Sequence, residues 1–364
     1  MLAERAVIAG VGLIGGSLGL RWRQTGAVGT VVGYGRNPDR LRQALELGAI
    51  QEAATDWEGA VRGADLVVLA APVRVCVRMA EQVARSVPPG CVVTDVGSTK
   101  REIAFAMAEA GVPLFIGGHP MAGSERSGVA AADPDLFEQA VWVLCPEEGT
   151  PPAALRRLRQ LVEMTGAHPV VMSSAAHDHR VAAISHVPQL VAVALAEATA
   201  RAAEGDPEVL ALAGGGFRDT TRIAQSPAEM WQDVLESNRD EVLRGVERME
   251  TVLGELKAAV ATGDREAVAA HFAVASEARR RVPARQKGLL PAYHDLVLYV
   301  PDRPGVIGGL CQALGDRGIN VQDIEILRLR EGEGGTLRLG FATADLAERA
   351  EAVLEGLAYR VRRR

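Results

Sequence analysis

One histidine stands where chemistry is easiest to place: Gly117-Gly118-His119-Pro120-Met121-Ala122-Gly123-Ser124-Glu125, directly after the apolar run 112–116. The glycines let the backbone turn sharply and approach a ligand, and the proline stiffens the exit. An imidazole titrates near neutral pH and serves there as a proton acceptor. By itself the segment is read as readily as a buried turn whose histidine is satisfied by the backbone. Three other segments alter that balance. Asp95-Val96-Gly97-Ser98-Thr99-Lys100 ends another apolar run and offers a hydroxyl and an ammonium. The stretch His177-Asp178-His179-Arg180, followed by Ser185-His186-Val187-Pro188, puts two histidines seven residues apart on one helix face. Without a third partner that pair makes no metal site, and none is expected. Gly214-Gly215-Gly216-Phe217-Arg218-Asp219-Thr220-Thr221-Arg222 joins a triple glycine to two arginines, the side chains suited to bidentate carboxylate binding. Together these residues describe a site for a small anionic substrate.

A second motif says what works beside that substrate. Gly10-Val11-Gly12-Leu13-Ile14-Gly15 matches G-x-G-x-x-G, with an apolar strand before it and a helical pattern after it. The first glycine permits the tight turn and the second lets backbone reach a pyrophosphate. The third allows close helix packing, and the helix N-terminus faces the phosphates. A dinucleotide is expected, with Gly10, Gly12, Leu13, Ile14 and Gly15 around it. The next strand ends Tyr34-Gly35-Arg36-Asn37, where an acidic residue normally meets a free ribose 2′-hydroxyl. Glycine followed by Arg36 suits a 2′-phosphate instead, so NAD and NADP both stay open.

The elements that position these residues follow from apolar patterning. Uninterrupted Val/Ile/Leu runs at 6–10, 30–34, 66–70, 92–96, 114–117 and 141–145 predict strands covered on both faces. Alternation with helical patterns makes residues 1–172 a Rossmann-type doubly wound α/β domain. Strand signals vanish over 173–290, which reads as an all-α domain. A long helix is expected over 175–203 with a kink at Pro188, and another from Ser226-Pro227-Ala228-Glu229 to about 261. Their apolar stripes predict a homodimer built on this region. Residues 293–364 carry the order βαββαβ, a ferredoxin-like sandwich without catalytic groups of its own.

Composition excludes other classes. A net charge of -6 over 364 residues gives no reason to expect nucleic acid. The 4 cysteines are far apart and form no C-x-x-C pair, so neither a disulfide framework nor a zinc site is expected. The apolar stretch 6–20 is too short and glycine-rich to span a membrane, and no cleavage site follows it. A cytoplasmic protein is expected.

In family order, these motifs resemble the prephenate/arogenate dehydrogenases of tyrosine biosynthesis. The resemblance rests on residues 10–17, 95–100, 117–125, 185–188 and 214–222 followed by Met230-Trp231. It implies oxidative decarboxylation of a cyclohexadienol with hydride passing to NAD, the coenzyme the resemblance puts first, while Gly35-Arg36 keeps NADP as the alternative. On that resemblance His119 is the catalytic histidine and Ser98 the serine that orients it. Arg222 would bind a substrate carboxylate and His186 would line the pocket. Lys100, Glu125 and Trp231 would stand around them. The Asp302-Arg303-Pro304-Gly305 and Gly318-Ile319-Asn320-Val321 segments resemble an ACT regulatory domain, which implies a tyrosine effector. Prephenate and arogenate both fit. A β-hydroxyacid dehydrogenase is a poorer match, since the only lysines in the helical region are Lys257 and Lys287. A non-catalytic dinucleotide or amino-acid sensor is the reading from another class.

Overall fold

The computed structural model describes residues 1–123, 126–282, 294–301, 303–330 and 334–363. They form two compact units, Met1–Leu289 and Leu290–Arg364. In the first, strands β1 (Ala3–Ala9), β2 (Val28–Tyr34), β3 (Glu52–Ala54), β4 (Leu66–Leu69), β5 (Val92–Asp95), β6 (Phe115–Pro120), β7 (Val141–Pro146) and β8 (His168–Val171) make one sheet. Its order is β3-β2-β1-β4-β5-β6-β7-β8. The first six follow the doubly wound 3-2-1-4-5-6 order, which leaves a crevice at the strands' carboxyl ends. All pairs are parallel except β6 with β7. Helices α1 (Leu13–Thr25), α2 (Pro38–Glu46), α3 (Trp57–Val61), α4 (Val73–Ser86), α5 (Arg101–Glu109) and α6 (Pro152–Glu163) belong to this part of the chain.

Alternation along single strands shows why both faces are buried. Ala6 and Ile8 of β1 join one core while Val7 and Ala9 join the other, as do Leu66 and Val68 against Val67 and Leu69 of β4. Burial of each Val, Ile or Leu among them contributes roughly 1.5–3 kcal/mol.

The helical part comprises α7 (Ser174–Val181), α8 (Val187–Ala203), α9 (Glu208–Ala211), α10 (Gly215–Thr221), α11 (Ala228–Ser237), α12 (Arg239–Thr262) and α13 (Arg265–Arg281). Two expectations are corrected here. The irregularity in the long helix is not a kink at Pro188 but a π turn at Ala182–His186 just before it. Pro188 sits in the first turn of α8, where its missing N–H costs little. The expected helix from Ser226 to about 261 is two helices, broken at Asn238 (φ −123, ψ 29). The break turns Asn238 inward, where its side-chain amide donates to Asp178 O at 2.8 Å.

The whole stretch Ser174–Ala203 is long and apolar enough to cross a membrane. Its buried polar residues His177, Asp178, His186 and Gln189 are hydrogen-bonded to groups of this unit, and much of its second half is exposed. Apolar side chains stay uncovered on the helical part, including Val193, Leu253, Phe272 and Val274.

The second unit has β9 (His294–Val300), α14 (Val306–Gly315), β10 (Asp323–Arg330), β11 (Gly334–Phe341), α15 (Ala344–Gly356) and β12 (Val361–Arg363). Its antiparallel sheet is ordered β10-β11-β9-β12 around a core that includes Leu296, Leu339 and Phe341. Buried Arg338 is held by Asp295 (2.7 Å), Glu325 (2.9 Å) and Asp323.

Candidate active site

The glycine loop after β1 does what its spacing requires. Gly10 has φ +103, and a Cβ there would lie 2.3 Å from Ala70 O. A Cβ on Gly15 would lie 2.2 Å from Gly10 O, so α1 approaches the loop only because both positions are bare. Gly12, the residue before α1, faces open space. Such a cradle fits a dinucleotide pyrophosphate set on the N-terminus of α1. A cleft of ≈ 790 Å³ runs from Gly10 and Gly12 past Tyr34 and Gly35 to Arg36, Arg40 and Arg78, and no acidic side chain among the described residues lines it. Leu13 and Ile14 do not line it; they open α1, and Ile14 packs on the core.

His119 is not on a turn. It is the fifth residue of β6, paired with Val143 of β7. Gly117 and Gly118 serve close packing rather than a bend, since a Cβ on Gly118 would lie 2.5 Å from Asp95 O. A second cavity of ≈ 410 Å³ collects Ser98, His119, Ser185, His186 and Trp231, floored by apolar groups such as Leu136, Met230 and Val234. The buried indole N–H of Trp231 has no hydrogen-bond partner among the described residues.

Under this cavity lies a buried polar network. Lys100 and Asp95 form an ion pair with both side chains 0% exposed. Lys100 Nζ also donates to Gly118 O at 2.7 Å. Asp95 accepts from the backbone N–H of Gly97 (2.8 Å) and Gly118 (3.0 Å). Lys100 therefore stands beneath the pocket, and the expectation that it contacts substrate is corrected: its ammonium is already used.

His119 Nδ1 lies 2.8 Å from His177 Nε2, and His177 Nδ1 lies 2.7 Å from Asp178 Oδ1. Burial pushes the His119 pKa well below its ordinary value, and the nearby Lys100 ammonium acts in the same direction. Burial also lowers His186 to about 4. Its Nδ1 faces the Asn238 side-chain amide at 3.3 Å. An amide N–H can only donate, so the His186 proton resides on Nε2. His186 is thus a neutral donor and His119 a neutral acceptor.

The other expected residues separate. His179 does not share a face with His186, because the π turn between them adds a residue to the helical repeat. It pairs with Glu241 at 2.9 Å. Arg222 opens the 3-10 turn Arg222–Gln225 and does not line the cavity of a single chain. Glu125 lies outside the described residues. Asp95, His177, Asp178 and Asn238 were not singled out from sequence. The adjacent His177-Asp178 pair was the only available signal.

Residues 18–171 match the family model described as prephenate dehydrogenase, nucleotide-binding domain, and 173–274 match its dimerization domain. Residues 294–353 match the ACT domain. The prephenate dehydrogenase of Bacillus subtilis is 37% identical over 98% of this chain and 97% of its own length. The chain belongs to the prephenate dehydrogenase family. The family's cyclohexadienyl dehydrogenase from Zymomonas mobilis is 31% identical over 76% of this chain and 95% of its own. Prephenate dehydrogenase from A. aeolicus, solved with hydroxyphenyl propionate and NAD+, superposes with a TM-score of 0.70 at 32% identity. That match covers 76% of this chain and 98% of the other. Synechocystis arogenate dehydrogenase gives a TM-score of 0.69 at 30% identity, covering 76% of this chain and 99% of its own.

Replacing Lys100 by Met leaves the Asp95 carboxylate buried without its partner, a change that typically costs about 3–5 kcal/mol. Urea unfolding should show that loss, and adding Asp95→Asn should recover much of it. A Lys100→Met protein as stable as the parent would mean that the pair does not hold the site.

Proposed function

We propose that this chain oxidises and decarboxylates prephenate in tyrosine biosynthesis, with a nicotinamide dinucleotide as hydride acceptor and arogenate as the alternative substrate. The observation that carries the reading is the cavity that brings Ser98, His119, His186 and Trp231 together at the carboxyl edge of the sheet that also forms the nucleotide cleft. The nicotinamide ring, when bound, takes up a hydride from the hydroxyl-bearing ring carbon. His119 accepts the hydroxyl proton, and loss of carbon dioxide leaves an aromatic ring. Ser98 orients the hydroxyl beside His119, and the N–H groups of His186 and Trp231 are donors for the substrate's oxygens. The apolar floor keeps water from the reacting carbon. Two copies are proposed to pair through the uncovered apolar helices, and the ACT unit to bind tyrosine as an effector.

Turnover of prephenate and of arogenate, each with NAD and with NADP, tests the assignment through the absorbance of reduced coenzyme. No reduction in any of the four mixtures would sink it. The pH dependence follows from the sign of the His119 shift. Its pKa is depressed, so the base form persists below the ordinary histidine value of about 6.5 and is lost only as pH falls through the lower pKa. The acid limb of kcat/KM is therefore expected below about pH 6.5, and His119→Asn should abolish it along with most of kcat.

The coenzyme's adenosine end is the point where this chain departs from an acidic ribose contact. Arg36, Arg40 and Arg78 line that end with no carboxylate beside them among the described residues, which favours a 2′-phosphate. NADP should serve at least as well as NAD. Arg36→Ala should lower kcat/KM for NADP about 10–100-fold, the size of a lost hydrogen bond to a charged group, and leave NAD nearly unchanged. Equal effects on both coenzymes would remove Arg36 from phosphate recognition.

A further inference from the structure

We infer that His177 and Asp178 are positioning residues that fix the protonation pattern of His119, leaving its Nε2 bare toward the substrate cavity. The inference deepens the dehydrogenase reading and rests on it for its kinetic half. The series of hydrogen bonds begins at Asp178, on the far side of His177 from His119. Asp178 is fully buried and accepts two backbone N–H groups at the start of α5: Lys100 N to Oδ1 at 2.8 Å and Arg101 N to Oδ2 at 2.9 Å. Both donors hold it as a carboxylate acceptor. The ring atom of His177 that faces Asp178 Oδ1, Nδ1 at 2.7 Å, must then be the donor.

In the inferred pattern each ring carries one N–H, which puts His177 Nε2 in the acceptor role. The atom facing it at 2.8 Å is His119 Nδ1, which must donate. With its one proton committed there, His119 presents an unprotonated Nε2. His119 lines the cavity while His177 is buried and does not, so the free nitrogen belongs to the ring that meets substrate. When Nε2 takes the hydroxyl proton, an O–H bond breaks and an N–H bond forms. The positive charge created on His119 is stabilised where it forms by the hydrogen bond to His177, whose ring the Asp178 carboxylate orients. The logic is that of a nucleophile's histidine oriented by a buried aspartate, with a second imidazole inserted between them.

Two readouts test this. In the substrate-free protein labelled with ¹⁵N-histidine, long-range ¹H–¹⁵N correlations should show His119 protonated on Nδ1 with Nε2 bare. In His177→Phe, which keeps an aromatic ring but removes both hydrogen bonds, His119 should shift toward the Nε2–H form. Its kcat should fall about 10²–10⁴-fold, the range for loss of a general base or its orienting partner, with KM for substrate within about twofold. A wild-type His119 protonated on Nε2 overturns the inference, as does a His177→Phe enzyme with the parent kcat. Should His177→Phe fail to fold, the wild-type tautomer decides alone. Absence of wild-type turnover would instead overturn the dehydrogenase reading, since the tautomer is measured without substrate.

Discussion

The site depends on one buried ion pair. Desolvating Lys100 and Asp95 is costly, and their attraction offsets that cost only if the remaining donors and acceptors are satisfied as well. Here they are, by Gly97 N, Gly118 N and Gly118 O. Those same bonds tie the last residue of β5 to the loop carrying Ser98 and to the residue just before His119. The two polar groups on this side of the cavity therefore cannot drift apart without exposing a charge to an apolar interior. The backbone N–H of Lys100 also meets Asp178, so the support reaches the helical part. The ammonium has a further effect through space, since its charge helps to disfavour protonation of His119.

What could be read from sequence was what is local or strongly repetitive. Six strands announced themselves as Val/Ile/Leu runs, and the nucleotide loop as a fixed spacing of glycines. β3 and β8 did not, because both are short and only partly buried. Lys100 was expected beside the substrate because it belongs to the Asp95–Lys100 motif of the resemblance, yet a place in that motif fixes no direction for its side chain. The histidine pair at seven-residue spacing was legible only on the assumption of an unbroken helix, which the π turn at Ala182–His186 violates.

Tertiary contacts account for the rest. Asn238 interrupts a pattern that is otherwise continuously helical, and the reason is a bond to Asp178 O across |i−j|=60. The contact of His119 with His177 spans |i−j|=58. Neither leaves a mark in composition or periodicity. The division of charge was half legible: Arg36 was visible beside Gly35, while Arg40 and Arg78 reach the same cleft from helices α2 and α4. The result is a cationic end for the coenzyme and, in the cavity, neutral imidazoles prepared to move a proton.

Asp178 carries an implication for how such a chain can be divided or inherited. Its carboxylate holds the start of α5 on one side and the ring of His177 on the other. The nucleotide-binding half thus ends one of its own helices with a group borrowed from the following half, and receives in return the orientation of its histidine. Neither half is a self-sufficient module. Exchange of one against a relative's counterpart would preserve the glycine loop and the sheet while breaking a match made of three residues in two separate segments. Recombination within this family is therefore expected to respect that boundary by moving both halves together, although the chain changes from mixed α/β to all-helical there.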